Sequence, residues 1–265
     1  MNAKLDALKS YLREHAPLVI AYSVGVDSAC QMAVAHETLG DRMLGVIADS
    51  PSLPRQALAD ALAVAKQIGA PVEVVKTDEM QDENYVSNPL NRCYYCKAEL
   101  FTKLDELARE RGYAAIAYGE NADDAHHFRP GSKAAAEFSI IAPLKQAGIT
   151  KAEVREISRT FALPTSEAPA QPCLSSRIPH GTPVTTGALA MIERGEALVR
   201  NLGFKVFRVR HVVEDQTAAK YVARVQIAPE EMDGIPACRE SLVSGLAAVG
   251  YSSVEIDPEG YRSPH

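Results

Sequence analysis

The stretch from Leu18 to Ser28, LVIAYSVGVDS, decides the fold. Its first five residues form a continuous apolar run, which predicts a buried strand. The remaining residues, Ser23 to Ser28, are small or hydroxyl-bearing and predict a loop, and a helix is predicted directly after it over 29–39. A strand that passes through such a loop into a helix is the repeating element of a parallel sheet with helices on both faces.

The same alternation continues on both sides of this stretch. A helix is predicted before it, over 5–12. The elements predicted after it are strands over 43–48, 72–75, 114–118 and 138–141 and helices over 54–68, 94–111 and 151–161. We therefore predict the α/β class, with a doubly wound parallel sheet in a first domain at 1–165.

The pattern changes beyond this domain. Residues 163–183 contain five prolines, which predict an irregular connection, and we place it at 166–184. The elements predicted beyond it are helices over 186–201 and 237–248 and strands over 205–212, 219–227 and 252–256. We therefore predict a second, smaller α+β domain at 185–265. Arg208 and Arg210 lie two apart on one of its strands, so both side chains should point to the same face.

Composition excludes several classes of protein. The chain has 265 residues, of which 46% are hydrophobic and 23% charged, as in ordinary globular proteins. Its net charge of −6 argues against a phosphate-backbone ligand, so we expect no nucleic-acid partner. No apolar run approaches the ~20 residues of a membrane span, and the N-terminus has no signal-peptide pattern. We expect a cytoplasmic protein without a membrane partner.

An odd number of cysteines, five, argues against a disulfide framework in such a protein and for thiol or metal chemistry. Cys93 and Cys96 form a C-x-x-C, which fits a redox pair, half a zinc site or iron–sulfur ligands. The chain has no second C-x-x-C, so a four-cysteine zinc site is excluded. Cys30 and Cys238 lie on predicted helices and are interpreted as small buried hydrophobic residues.

Cys173 lies in a different setting, a loop with the sequence QPCLSSRIP at 171–179. Prolines on both sides keep it out of helices and strands. Ser175, Ser176 and Arg177 surround it with hydrogen-bond donors, which favour the thiolate form.

The loop from Ser23 to Ser28 follows the first strand, where parallel sheets bind phosphate at the start of a helix. It has neither the lysine of the ordinary P-loop nor the G-x-G-x-x-G of dinucleotide sites. A simpler interpretation is a capped helix, with Asp27 or Ser28 as the N-cap.

This loop nevertheless resembles the S-G-G-x-D-S loop of the PP-loop ATP pyrophosphatases. The resemblance implies that Ser23, Gly25, Val26, Asp27 and Ser28 bind ATP, with Asp49, Gly119 and Asp123 from neighbouring strand ends. Asp27 and Asp124 are then possible Mg²⁺ ligands. Val24 stands where the family has glycine, which requires either a negative φ at this position or weaker pyrophosphate binding.

Five further motifs narrow the resemblance. They are SPSLPR at 50–55, YGENADD at 118–124, PCLSSRIPHGT at 172–182, FRVRH at 207–211 and EGYRS at 259–263. Together they resemble the LarE family of ATP-dependent sulfur transferases. The resemblance implies a homo-oligomer that adenylates a carboxylate of pyridinium-3,5-biscarboxylic acid mononucleotide and replaces AMP with sulfur. The product leads to the nickel-pincer nucleotide of lactate racemase. The resemblance alone does not say where the sulfur comes from.

The resemblance also assigns residues. Cys173, Ser176, Arg177 and Glu196 are implied to be catalytic, and Arg208 and Arg210 to bind the substrate phosphate. Without the resemblance, these last two would be interpreted as surface arginines.

Two sulfur sources occur in such enzymes. In one, Cys93, Cys96 and Cys173 hold a [4Fe-4S] cluster with one open iron. In the other, Cys173 gives up its own sulfur and becomes dehydroalanine. We favour the cluster, because the sacrificial route has no need of Cys93 and Cys96.

Three other functions stay open. A PP-loop tRNA thiolase would use the same cysteines, but the net charge of −6 offers little for RNA. An amidating enzyme that uses ammonia would leave Cys93, Cys96 and Cys173 without a role. A nucleotide-sensing protein would result if Val24 had abolished turnover.

Overall fold

A computed structural model describes residues 2–23, 25–126, 130–169 and 172–261. The chain divides into two compact units. The first unit comprises Met1–Glu79 and Asn91–Gln171, and the second comprises Met80–Leu90 and Pro172–His265. In the part of the chain that the structure describes, no helix is both long enough and apolar enough to cross a membrane.

Strands and helices follow each other much as the apolar patterns predict. The strands are β1 Leu18–Ala21, β2 Met43–Asp49, β3 Val72–Lys76, β4 Ala115–Tyr118, β5 Phe207–Asp215, β6 Lys220–Ile227 and β7 Ser253–Ile256. The helices are α1 Asn2–Glu14, α2 Val26–Leu39, α3 Arg55–Ile68, α4 Glu83–Val86, α5 Arg92–Arg111, α6 Pro130–Glu137, α7 Pro143–Gln146, α8 Lys151–Thr160, α9 Thr186–Asn201 and α10 Ile235–Val249.

The first unit contains a four-stranded sheet in the order β3-β2-β1-β4, and all neighbouring strands are parallel. Side chains of β1 alternate between two hydrophobic clusters. Leu18 and Ile20 pack with α1, α2, α3 and α8, whereas Val19 and Ala21 pack with α5 and α6. Helices therefore cover both faces of the sheet, which confirms the predicted doubly wound α/β fold.

The strand predicted over 138–141 is wrong. Phe138 and Ser139 belong to the turn that ends α6, where Phe138 N–H donates to Ala134 O and Ser139 has a positive φ of 55°. Of the predicted strand, only the last residue, Ile141, pairs with the sheet, through an isolated parallel bridge to Ala117. The apolar run predicted a strand because the end of an amphipathic helix and a short buried strand look alike in sequence.

The second unit has a three-stranded sheet in the order β5-β6-β7. β5 and β6 are antiparallel, and β6 and β7 are parallel. Phe207 and Val209 of β5 pack with α9 and α10 in one hydrophobic cluster. Arg208 and Arg210 occupy the alternate positions of the strand, so their side chains lie on the opposite face of the sheet, where they line a pocket.

The sequence placed the domain division at 165 and the connection at 166–184. In the structure the units meet in the chain between Gln171 and Pro172, and Met80–Leu90, a polar segment of the first predicted domain, belongs to the second unit.

Candidate active site

The loop predicted to bind ATP leads directly into α2. Helix α2 begins at Val26, three residues earlier than predicted, because Ala29 N–H already donates to Gly25 O at 3.0 Å. Gly25 is the N-cap and has no side chain to bond the first turn, so Asp27 and Ser28 are not the caps that the simpler interpretation expected. The backbone N–H groups of such a turn lack an intrahelical partner and suit an anion. Val24 lies outside the described residues.

Serine hydroxyls brace this turn from within. Ser23 Oγ donates to Ser28 Oγ at 3.3 Å, and Ser28 Oγ donates to Gly25 O at 3.0 Å. Gly119, at the end of β4, approaches the same turn closely. A Cβ atom at Gly119 would lie 2.7 Å from the backbone nitrogen of Ser28, so no larger residue fits without a shift. The predicted ATP residues Gly119 and Ser28 are thus packed together.

The acidic residues near this turn already have partners. Asp27 accepts from Lys151 Nζ at 2.5 Å and from Asn121 Nδ2 at 3.1 Å. Asp124 is buried and accepts from Asn121 N–H at 3.2 Å. Asn121 therefore bonds both predicted Mg²⁺ ligands. The ammonium group of Lys151 lies next to the Asp27 carboxylate, where a bound Mg²⁺ would also lie.

Two other predicted ATP residues serve local structure. Asp123 accepts from Lys151 N–H, the first residue of α8, at 2.8 Å. Asp49 pairs with Arg55 Nη1 at 2.5 Å, at the start of α3. The sequence did not single out Asn121 or Lys151, although Asn121 lies within the YGENADD motif.

The cysteines differ in exposure. Cys30 is fully buried, and desolvation raises the pKa of its thiol to about 12, which fits the predicted packing role. Cys238 is half-buried and packs against the hydrophobic cluster of the second unit, so it has the predicted packing role but is less buried than Cys30. Cys93 is exposed and Cys96 half-buried on the first turn of α5, where a spacing of three places both on one side.

Cys173 precedes a short 3₁₀ turn, Leu174–Arg177, and is half-buried. Arg177 Nη1 donates to Cys173 O at 3.0 Å and to Pro172 O at 2.6 Å, so its guanidinium wraps around the turn. Its Nε and Nη2 donate to the two carboxylate oxygens of Glu196, on α9, at 2.8 and 2.9 Å. Both side chains are almost fully buried. Two of the four residues predicted to be catalytic, Arg177 and Glu196, thus form a buried ion pair that holds the Cys173 turn.

A segment that the sequence left unassigned also holds this turn. Tyr85, on α4, shares a 2.7 Å hydrogen bond with Ser175 Oγ. Asn88 is fully buried, and its Nδ2 donates to Pro179 O and Thr182 O, both at 2.9 Å. Asn88 has a φ of 55°, a conformation that asparagine tolerates better than most residues, and an asparagine before Pro89 is the signal that could have found it.

A pocket of about 910 Å³ opens on the face of the second unit's sheet opposite α9 and α10. Pro172, Ser176, Arg208, Arg210, Gln226 and Tyr261 line it. Arg210 Nη1 donates to Ser176 O at 2.6 Å. This hydrogen bond links an arginine that lines the pocket to the Cys173 turn. The volume falls within the range of small-molecule sites.

Two guanidinium groups, those of Arg208 and Arg210, line the pocket. Burial, and then the charge of Arg177, lowers the pKa of Arg208 and of Arg210, although guanidinium groups stay protonated in proteins. Glu196 pairs with Arg177. Arg208 Nη1 donates to Phe207 O, and Arg210 Nε donates to Gln226 Oε1. Glu259 lies at the exposed rim. Two half-buried guanidinium groups side by side suit a phosphate.

Among the described residues, no group of three or more histidine, cysteine, aspartate or glutamate side chains is arranged to hold a metal ion. Cys93 and Cys96 belong to the first unit and Cys173 to the second. Thiolates of this kind are the usual protein ligands of iron–sulfur clusters.

Comparison with known proteins extends these observations. A family model described as NAD synthase matches residues 1–125, which contain β1 to β4 and the Ser23–Ser28 loop. An uncharacterized protein of Synechocystis sp. is 40% identical over 265 residues, which cover 99% of this chain and 96% of that protein. The pyridinium-3,5-bisthiocarboxylic acid mononucleotide synthase of Lactiplantibacillus plantarum is 27% identical, over 99% of this chain and 93% of its own. The chain belongs to the LarE family of PP-loop ATP pyrophosphatases.

The similarity to these relatives extends over both units. An uncharacterized protein of Methanocaldococcus jannaschii is 28% identical over 98% of each chain. The NAD synthase model, by contrast, ends at residue 125, before the Cys173 turn and the arginine pocket. The nucleotide loop therefore lies in the part that the NAD synthase model also matches, whereas the Cys173 turn and the pocket lie beyond that part.

Proposed function

We propose that this protein is an ATP-dependent sulfur transferase that acts on pyridinium-3,5-biscarboxylic acid mononucleotide. It would adenylate a carboxylate of this nucleotide and replace AMP with sulfur, for the nickel-pincer nucleotide of lactate racemase. The observation that carries the proposal is the bond from Arg210 to Ser176 O. It joins a pocket suited to a nucleotide phosphate to the turn that bears Cys173. The L. plantarum relative, named for the bisthiocarboxylic acid product, supports the choice of substrate.

ATP would bind at the carboxyl ends of the strands in the first unit. Ser23, Gly25, Val26, Asp27 and Ser28 would wrap the phosphates with backbone and hydroxyl groups. Asp49, Gly119 and Asp123 would flank the nucleotide. Asp27 and Asp124 would hold Mg²⁺ that binds with ATP, and Lys151, paired with Asp27 at 2.5 Å, would lie beside that ion.

The reaction balances in two steps. A carboxylate oxygen attacks the α-phosphorus of ATP, the bond to the bridging oxygen breaks, and pyrophosphate leaves. A sulfur nucleophile then attacks the carbonyl carbon of the acyl adenylate, and AMP leaves with the former carboxylate oxygen. The product is a thiocarboxylate, and no electrons are exchanged. Arg208 and Arg210 would hold the substrate phosphate throughout, and Ser176 would line the same pocket.

Arg177 and Glu196 act as positioning residues in this scheme. Both oxygens of Glu196 are bonded to Arg177, and Oε1 also accepts from Val209 N–H at 3.2 Å. A carboxylate with this many donors is a poor general base. The pair instead fixes the backbone of Cys173.

The sulfur would come from a [4Fe-4S] cluster on Cys93, Cys96 and Cys173. Such a cluster has an open iron that can carry an additional sulfide. The presence of Cys93 and Cys96, which a sacrificial enzyme does not need, supports this choice. In the sacrificial route, Cys173 Sγ would attack the acyl adenylate itself. A base would then remove the Cα proton, the Cβ–Sγ bond would break, and dehydroalanine would remain with the thiocarboxylate product.

Anaerobic protein distinguishes the routes. The cluster route predicts brown protein with about four irons per chain, and pyrophosphate release with a thiolated product when ATP, substrate and sulfide are added. Cys173→Ala should abolish both routes, whereas Cys93→Ala should abolish only the cluster route. Iron-free protein that loses one H₂S in mass after turnover would establish the sacrificial route. No pyrophosphate under either condition would contradict the proposed function.

We also propose that the enzyme is cytoplasmic and a homo-oligomer. Family membership supports both. Size-exclusion chromatography with light scattering tests the second.

A further inference from the structure

The motif EGYRS was singled out in the sequence, and the function proposed above gives it no role. Residues 257–261, here called the C-terminal turn, follow β7 and continue alongside β6 in the same direction. Asp257 N–H donates to Val225 O at 2.9 Å, and Tyr261 N–H donates to Ile227 O at 2.9 Å. Gly260 makes the turn possible. Its φ is 69°, and a Cβ atom there would lie 2.5 Å from Ile227 O.

The first residue of this turn reaches Arg210 through a glutamine. Gln226 Nε2 donates to Asp257 Oδ2 at 2.8 Å, and Gln226 Oε1 accepts from Arg210 Nε at 2.8 Å. A carboxylate can only accept and a guanidinium can only donate. Asp257 therefore fixes which end of the Gln226 amide faces Arg210. The amide could not be turned round without opposing donor to donor and acceptor to acceptor.

This arrangement leaves part of Arg210 for a ligand. Nε is held by Gln226, and Nη1 donates to Ser176 O at 2.6 Å. Within the described residues, Nη2 has no hydrogen-bond partner, and the residue lines the pocket. The guanidinium is thus held from behind, with one edge available to an anion.

The last residue of the turn supports Arg208. The guanidinium carbon of Arg208 lies 4.5 Å from the ring centre of Tyr261, within the range of a cation–π contact. Tyr261 is buried, and Arg208 Nη1 also donates to Phe207 O at 2.7 Å. Tyr261 therefore forms a fixed aromatic surface against which the Arg208 side chain lies.

The geometry points to Asp257, Gln226 and Tyr261 as positioning residues that hold Arg208 and Arg210 in place to bind the phosphate of the substrate. The inference rests on the proposed function, in which these arginines bind that phosphate. Two long arginine side chains lose rotamer freedom when they bind an anion, and groups that hold them beforehand reduce this cost. The C-terminal turn therefore raises affinity for the phosphate by fixing the two arginines.

Titration of the full-length protein with inorganic phosphate tests the inference. Asp257→Asn frees the Gln226 amide to turn, and we expect the dissociation constant for phosphate to rise about five-fold, the effect of one net hydrogen bond. Tyr261→Leu should raise it about three-fold, and Tyr261→Phe, which keeps the aromatic face, should raise it less. Glu255→Gln is the matched control, because it weakens an exposed ion pair with Arg224 on the same sheet and should change nothing.

Steady-state kinetics separates positioning from a general loss of structure. In Asp257→Asn, the KM for the substrate nucleotide should rise while kcat and the KM for ATP stay unchanged, with an unaltered melting temperature. Equal phosphate affinity in Asp257→Asn and the wild type, with Arg210→Ala much weaker, would overturn the positioning role alone. If Arg210→Ala also bound phosphate as the wild type does, the phosphate site of the proposed function would itself be wrong.

Discussion

Two short loops carry the proposed chemistry, and they are held in different ways. In the nucleotide loop, Ser23–Ser28, the two serines bond within the loop, and Gly25 caps the helix with backbone alone. Among its described side chains, Asp27 alone bonds residues outside the loop, Lys151 and Asn121. The sulfur loop, residues 172–178, is held by side chains from elsewhere in the chain, above all Glu196 and Tyr85.

This difference has a chemical reason. A loop that wraps phosphate must leave its N–H groups available, so it is shaped by small residues and close backbone packing. A loop that presents a thiol needs a fixed backbone around it, and buried side chains provide that. We therefore expect the stability of the sulfur loop to fall when a side chain that holds it is removed. The stability of the nucleotide loop should fall when a side chain is added to a glycine that packs against it.

Glu196→Ala should have the largest effect on stability. It leaves the Arg177 guanidinium buried without a counter-charge, which costs about 3–5 kcal/mol. Urea unfolding measures this cost, and alkylation of Cys173 by iodoacetamide should become faster. Glu255→Ala breaks the exposed pair with Arg224 and should cost less than about 1 kcal/mol. Similar losses in both variants would contradict the buried role.

Asn88→Ala should come next. It removes the donor to the carbonyls of Pro179 and Thr182, which would then be left without this partner, at a cost of about 2 kcal/mol. Hydrogen exchange should show faster opening at Gly181, whose N–H donates to Asn88 O. Asn84→Ala is the control in the same segment, since Asn84 is exposed and its side chain donates to Asp82. Unchanged exchange in Asn88→Ala would show that Asn88 does not hold the residues that directly follow the sulfur loop.

A pair of glycine variants tests the nucleotide loop. Gly119→Ala places a methyl group 2.7 Å from Ser28 N and should destabilise the fold by about 1–3 kcal/mol. Gly25→Ala meets no atom within 4 Å and has a φ of −72°, so the free energy of unfolding should fall by less than about 1 kcal/mol. ATP binding, measured by calorimetry, should nevertheless weaken in Gly25→Ala. Normal ATP affinity in that variant would place the phosphates elsewhere.

The smallest effect concerns pH and lies outside both loops. The hydrogen bond from Lys4, with that from Thr150 N–H, lowers the pKa of Glu153 to about 2 from a usual value of 4.5. A depressed pKa stabilises the fold above pH 4.5, and this stability is lost as the pH falls from 4.5 towards 2. Glu153→Gln should therefore cost less than about 1 kcal/mol at pH 7 and still less at pH 3. A cost independent of pH would assign the effect to helix capping alone.

The sequence predicts local patterns well and distant pairings poorly. The alternation of β1 and the shared face of Arg208 and Arg210 follow from the two-residue repeat of a strand. The hydrogen bonds of Asn88 to Pro179 and Thr182 join residues about 90 positions apart, and no periodic pattern in the sequence predicts them. The same holds for Arg177 and Glu196, which were predicted as separate catalytic groups but are bonded to each other.

Where prediction failed locally, backbone conformation was the cause. The apolar run at 138–141 was interpreted as a strand, but Ser139 has a positive φ of 55° and ends α6. The first turn of α2 was interpreted as loop, because small and hydroxyl residues are typical of loops and of helix starts alike. Both errors lie at the ends of helices, where sequence patterns are weakest.

Mass spectrometry of the reaction product tests the central claim most directly. Anaerobic protein would be incubated with ATP, Mg²⁺, sulfide and pyridinium-3,5-biscarboxylic acid mononucleotide, with released pyrophosphate measured in parallel. The proposed function predicts a product heavier by the difference between one sulfur and one oxygen atom for each carboxylate converted, with one pyrophosphate released per conversion. Pyrophosphate release without sulfur in the product, or unchanged substrate, would contradict it.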